Sequence, residues 1–253
     1  MFGEQFGDYA VLALIGFGAQ IVDGALGMAF GVVSTTAMLF FGMTPAHASA
    51  VVHTAEIFTT GASAASHIYH GNVDKRLVIR LGISGVIGAV LGAWVLSNVD
   101  AGVMRPIISI YLALLGIYIL LRAWKGVPGR DAPPMWTEPV GFVAGFLDAS
   151  GGGGWGPVAT TTLVGTGQAP RKAVGSVNAT EFFVTIAAAT TFFIELGSAP
   201  WKELVALVVG GVLAAPFGGY VVKQISARTL MTLVGILIVA LSIWQIVRWL
   251  KLF

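Results

Sequence analysis

The chain has 253 residues, of which 56% are hydrophobic and only 10% charged, with a formal net charge of +2 and a mean hydropathy of +0.86. So few charges cannot cover a water-soluble surface of that size, which ordinarily carries roughly 25% charged residues, and the basic residues are too scattered to form a nucleic-acid-binding face. Cysteine is absent, which excludes disulfides, thiolate chemistry and Cys-based metal or iron–sulfur sites.

Met1 to Tyr9 carries Glu4 and Asp8 and no basic residue, the wrong sign for the n-region of a secretory signal, and reads as a mature start. A short apolar segment, Ala10 to Val22, leads to a break, Asp23 to Gly31, and a second short segment, Ala29 to Phe41. Three full-length helices are expected over Ala46 to Tyr69, Leu77 to Leu96 and Met104 to Leu121, each near the roughly 20 residues that span a bilayer. Ala123 to Trp136, with Lys125, Arg130, Asp131 and Pro133-Pro134, reads as a loop. The order then recurs. A short segment (Val140 to Leu147), a break (Asp148 to Gly156) and a short segment (Pro157 to Val164) precede helices over Lys172 to Ile194, Lys202 to Val222 and Thr229 to Leu250.

That recurrence is a sequence repeat. A shift of 125 places Asp23 on Asp148, Gly27 on Gly152, Gly31 on Gly156, Thr35-Thr36 on Thr160-Thr161, and Glu56 on Glu181; after one inserted residue, Gly85 falls on Gly211 and Gly92 on Gly218. The expected fold is an all-α integral membrane protein forming one transmembrane domain from an N-terminal repeat (1–122), a cytoplasmic linker (123–136) and a C-terminal repeat (137–253). With the N-terminus external, the basic residues Lys75, Arg76, Arg80, Lys125, Arg130, Arg171, Lys172, Lys223 and Arg228 fall on the cytoplasmic side, and Glu195 and Glu203 outside. Arg248 and Lys251 are misfits on the outside. The halves are then inverted relative to one another, and each short pair is either a re-entrant hairpin or two tilted crossings.

Irregular backbone at membrane depth is tolerated only where protein or water satisfies it, and matching breaks in two inverted halves point to a transporter's central site. Glycines let backbone amides converge, and the half-helix that follows presents its positive dipole end to the same point, so an anion site forms without lysine. The candidate cradle comprises Gly27, Gly31, Gly151, Gly152, Gly153 and Gly154, with the hydroxyls of Thr35, Thr36, Thr160 and Thr161 and the amide of Asn178 nearby. Close packing is the competing role, favoured for Gly88 and Gly92, and a back-bond to the preceding turn competes for the threonines.

The doubled break, Gly16-Phe17 to Thr36 and Gly141-Phe142 to Thr161, each followed by a proline and an alanine-rich helix, resembles the TauE/SafE sulfite exporters, the TSUP family of anion permeases, over nearly the whole chain. The resemblance implies a secondary transporter in the inner (plasma) membrane for sulfite, an organosulfonate or a related sulfur-containing anion, commonly moved outward. The first break lacks the glycine run of the second, so the halves should contribute unequally.

Ser49, His53, Glu56, Thr60, Ser63 and His67 share one face of the helix after the first break, and Asn178, Glu181 and Thr185 recur in the second half. A lone carboxylate at mid-helix costs about 2.5 to 3.5 kcal/mol, so Glu56 and Glu181 serve either as a proton or cation site or as structural clamps. His53, one turn from Glu56, favours coupling there. Asp23 and Asp148 are expected to cap the following half-helices, with coupling or gating as a further role. No nucleophile–base set, resident metal or cofactor is expected, and the chain is not read as an enzyme. A cation- or proton-coupled transporter using Asp23, Glu56, Asp148 and Glu181 is the rival reading. The expected partners are a small anion, the lipid bilayer and, for coupling, protons; the oligomeric state is open.

Overall fold

The computed structural model describes residues 6–125, 136–160, 162–163, 168, 170–198, 200–215 and 226–250. Thr161, Lys223, Lys251, nearly all of the linker and the end of the predicted 202–222 helix lie outside them. Every element among the described residues is helical: α1 (Phe6–Leu26), α2 (Phe30–Phe40), α3 (Pro45–Tyr69), α4 (Lys75–Asn98), α5 (Ala101–Lys125), α6 (Thr137–Gly151), a π-helical turn designated α7 (Gly156–Thr160), α8 (Pro170–Leu196), α9 (Trp201–Ala214) and α10 (Ala227–Trp249).

Four stretches, Lys75–Asn98, Ala101–Lys125, Lys172–Leu196 and Met231–Trp249, are helices long and apolar enough to cross a membrane. Ile79, Ile83, Leu114, Leu213 and Leu233 are exposed, as suits an outer surface that meets lipid. α3 is as long as α5, but its buried face carries Ser49, His53, Glu56 and Thr60, which lowers its apolarity. α1 is not the short segment expected. Its 21 residues reach about 30 Å at 1.5 Å per residue, whereas the 11 residues of α2 reach about half that. α5 begins three residues before the predicted Met104 because Asp100 caps it, its Oδ1 accepting the Gly102 N–H at 2.8 Å. Asp74 caps α4 in the same way, accepting from the Arg76 and Leu77 amides at 2.9 and 3.2 Å.

Glycine lets the helices approach backbone to backbone. A side-chain carbon on Gly92 of α4 would lie 2.5 Å from the Phe146 carbonyl oxygen of α6, and one on Gly16 of α1 would lie 2.6 Å from that of Leu207 in α9. Gly88 also faces the α6 backbone, 2.9 Å from the Phe146 nitrogen, so both α4 glycines serve packing.

The packing follows the repeat. α4 lies on α6 as α9 lies on α1, and the equivalent helices α3 and α8 lie against each other, as do α5 and α10. Each equivalent pair is antiparallel. Ser63 meets Asn178 while His53 meets Phe192; Ser109 meets Gln245 while Gly116 meets Gly235. One end of the bundle joins Arg80 to Glu138 and Lys172 to the Gly71 and Val73 carbonyls. The other joins Arg105 to the Gly42 and Met43 carbonyls and Asn98 to Glu195, and it holds Tyr9 beside Trp201. α1 and α3 therefore start at the same end, and α2 runs back between them.

Candidate functional site

Each break is built by an aspartate one turn before the helix end. Asp23 Oδ1 accepts the Phe30 N–H at 3.5 Å and Asp148 Oδ1 accepts the Trp155 N–H at 3.0 Å, so each carboxylate reaches seven residues on to cap the half-helix beyond. The α1 end closes with the Gly27 N–H on the Asp23 carbonyl at 2.6 Å; the α6 end closes with the Gly152 and Gly153 N–H groups on the Asp148 carbonyl at 2.8 and 3.0 Å. Gly27, Gly152 and Gly153 have φ of 65°, 71° and 145°, and the first break needs a further residue at positive φ, Ala29 at 124°.

The breaks touch. The Gly31 side faces Gly153 Cα at 3.3 Å and the Gly156 side faces Met28 Cα at 2.7 Å, measured from where a side-chain carbon would sit. Gly153 corresponds to Met28 and Gly156 to Gly31, so these are one contact made twice across the repeat. Thr160 Oγ1 adds a bond to the Gly27 carbonyl at 3.4 Å.

The glycine run is closely lined. Tyr111 of α5 donates its hydroxyl to the Gly153 carbonyl at 2.9 Å and covers Gly151 and Gly154. Thr35 Oγ1 lies 2.8 Å from where a Gly152 side chain would begin. The Gly152 and Gly153 amides are taken up by the Asp148 backbone carbonyl, and the anion facing the start of α7 in this conformation is the Asp148 carboxylate, which accepts the Trp155 N–H.

α3 and α8 bring the remaining groups. His53 Nε2 meets Asp148 Oδ2 at 3.1 Å, while its Nδ1 lies 2.8 Å from the Ser49 carbonyl, and Ser49 Oγ donates to the Ala149 carbonyl at 2.9 Å. Bonding Nδ1–H to that carbonyl leaves Nε2 to accept when the ring is neutral or to donate when it is charged. Glu56 Oε1 lies 2.9 Å from the side-chain position of Gly31. Asp23, Glu56, Asp148 and Glu181 are all buried, and Glu56 and Glu181 lie within electrostatic reach of each other and of both aspartates. Ligand atoms of His53, Glu56 and Asp148 lie within 4.8 Å of one another, which adds His53 to two of the four carboxylates of the rival cation reading.

Asn178 occupies the place equivalent to His53. Its Oδ1 accepts from Ser63 at 3.2 Å, its Nδ2 donates to the Val174 carbonyl, and it sits beside Gly27. Thr36 is spent on a 2.6 Å back-bond to Val32, whereas Thr35 Oγ1, Glu56 Oε2 and Glu181 Oε2 are buried without a hydrogen-bond partner. Ser34 Oγ and Gln20 Oε1 share that condition. Tyr111 was not foreseen, since it lies in an apolar helix with no local sign that it reaches the second break; Gln20, three residues before Asp23, was visible as a polar residue on a spanning segment.

The family model described as sulfite exporter TauE/SafE matches residues 12–244. A probable membrane transporter protein, YtnM, of Bacillus subtilis is 46% identical, with 89% of this chain and 78% of the relative covered. ORF9 of Sinorhizobium sp, named a probable membrane transporter protein, is 25% identical over 92% of this chain and 90% of its own. YfcA of Escherichia coli K12, likewise named, is 26% identical over 92% and 86%. No solved structure matches the chain.

Proposed function

The chain belongs to the sulfite exporter TauE/SafE family of membrane transporters, and from that premise we propose that it is a secondary transporter of a small sulfur-containing anion, such as sulfite or an organosulfonate, held between its two breaks. The observation that carries the reading is the meeting of the two capped breaks around buried, unpartnered polar atoms of Thr35, Glu56 and Glu181. Leaving such groups unsatisfied costs about 1 to 3 kcal/mol each, a cost that a polar ligand would offset.

Asp148 is the placeholder in this scheme. Its Oδ1 holds the Trp155 amide at the start of α7 while its Oδ2 meets His53, and an incoming oxyanion takes over the Trp155 amide as Asp148 keeps only its contact with His53. An anion beside four carboxyl groups is repelled unless protons or a cation neutralise them. The His53–Glu56–Asp148 convergence therefore supports coupling to protons or a cation, the second reading, as part of the same cycle. The antiparallel packing of equivalent helices supports two repeats inserted in opposite orientation. The gathering of Lys75, Arg80, Lys172 and Arg228 at one end supports a cytoplasmic placement of that end in the cell's inner membrane.

Labelled sulfite counterflow in proteoliposomes, run with and without proton and sodium gradients, tests this. Sulfite exchange that accelerates with one of the gradients is expected. Sodium or proton flux without any sulfite movement would leave only the cation-transport reading.

A further inference from the structure

Away from the breaks, the repeat also departs from itself at a set of polar residues in α5 and α10. Arg105, Ser109 and Gln245 have Met231, Gly235 and Ile119 as their counterparts at the shift of 126 that also pairs Arg122 with Arg248. The three lie together. Ser109 Oγ approaches Gln245 Oε1 at 3.3 Å, and Gln245 Nε2 donates to the Thr36 carbonyl at 3.4 Å. Thr36 is followed inward by Thr35 and the second break. Ser109 and Gln245 are both buried between α5 and α10, where polar side chains are costly and tend to mark a pathway. Their outer end opens into a cavity of ≈ 380 Å³ lined by Arg105, Arg248, Gln245, Gly42, Trp244 and Trp249, among others.

We propose that this cavity is a vestibule that collects oxyanions, sulfonates or sulfite-like species, at the end of the bundle away from Lys75 and Lys172, and passes them along the Gln245–Thr36 edge toward the breaks. The identity of the anion class rests on the transport reading above; the attraction of anions to the cavity does not. Arg105 spends Nη2 on the Gly42 and Met43 carbonyls, which fixes its charge at the cavity wall, and Arg248 in the last turn of α10 is exposed. Two guanidinium groups facing one pocket with low-dielectric walls concentrate anions and orient their oxygens. This accounts for why Arg248 stands on the side that the distribution of lysine and arginine assigns to the exterior. A phospholipid phosphate carries the same chemistry, so the test separates the two sources.

Because the chain has no cysteine, Trp249→Cys places a single thiol on the cavity wall. In phosphatidylcholine vesicles it should react about tenfold faster with a sulfonate-bearing methanethiosulfonate than with its neutral analogue, as expected of a local positive potential. The preference should fall severalfold in the Arg248→Gln background, where Arg105 remains, persist in Arg248→Lys and shrink at high ionic strength. Equal rates for the two reagents in the single-thiol protein would overturn the vestibule, as would a preference unchanged by Arg248→Gln. A preference that disappears when phosphatidylglycerol is included would assign the arginines to lipid headgroups and overturn it too. The readout needs no transport, so it stands or falls apart from the sulfite counterflow result.

Discussion

The two breaks reach the same capped geometry with different chemistry. The second uses Gly152 and Gly153 for its positive-φ positions and a 3.0 Å cap from Asp148, while the first forces Ala29 to a φ of 124° and holds Phe30 with a 3.5 Å contact from Asp23. The partner differs as well. Asp148 faces His53, whose imidazole can carry a proton, whereas the equivalent place beside the first break holds Asn178, which cannot. A duplicated scaffold has thus kept its architecture in both halves and concentrated titratable chemistry in one. The first break is read as the structural half of the proposed site and the second as its working half.

The harshest way to break this comparison is Gly153→Val. The new side chain would start 2.5 Å from the Val32 nitrogen at a φ of 145°, a backbone region costing about 1 to 3 kcal/mol for a non-glycine residue before any clash. Sulfite exchange should fall by at least about a hundredfold, the equivalent of nearly 3 kcal/mol, while the protein still inserts. Normal exchange would return the glycine run to a passive role. Converting the working half into the structural one is the next largest step. His53→Asn, which gives Asp148 the side chain type that Asn178 gives the first break, should abolish the pH dependence of the transport rate, as measured in vesicles of clamped internal pH. A retained pH profile would detach His53 from coupling.

Glu56 and Glu181 sharpen the contrast, since they are equivalent in sequence but only Glu56 converges with His53 and Asp148. Glu56→Gln should leave sulfite binding within about threefold, less than 1 kcal/mol, yet flatten the pH profile, and Glu181→Gln should flatten it less. Binding lost in Glu56→Gln would indicate a structural carboxylate or a direct substrate contact. The smallest expected effect lies at the structural break: Ala29→Gly should relieve strain and stabilise the detergent-solubilised protein by about 1 kcal/mol, seen as a raised unfolding temperature with transport unchanged. A lowered unfolding temperature would mean that the Ala29 methyl, which is buried, contributes more by packing than its conformation costs.

The helical order and the two breaks were legible because apolar runs, glycines and the 125-residue repeat are local or self-referring signals. The caps at Asp23 and Asp148 were legible for the same reason, since a capping residue announces itself beside the turn it closes. The start of α5 is equally written, in Asp100, whereas hydropathy alone points to Met104. α1 outruns the expected Ala10 to Val22 at both ends, over residues 6–9, where Asp8 interrupts the apolar run, and over 23–26, where Asp23 and Gly24 do, while Gly16 inside it only makes room for the α9 backbone. Pairing across the fold was out of reach. His53 and Asp148 are 95 residues apart and Tyr111 reaches Gly153 from another helix, so their juxtaposition depends on how α3, α5 and α6 pack, which periodicity does not encode. The second break differs from the sequence expectation in what its amides face, since those of Gly152 and Gly153 bond the Asp148 carbonyl and that of Trp155 bonds the Asp148 carboxylate.

The central claim, that an oxyanion replaces the Asp148 carboxylate at the α7 N-terminus, is tested most directly by measuring sulfite binding to Asp148→Asn against the parent protein by calorimetry at neutral pH. Removing the resident charge while keeping an oxygen to cap Trp155 should tighten binding by about tenfold, a gain of 1.4 kcal/mol, and make it less dependent on pH. Unchanged or weaker binding, in a variant that unfolds at the parent's temperature, would contradict the claim.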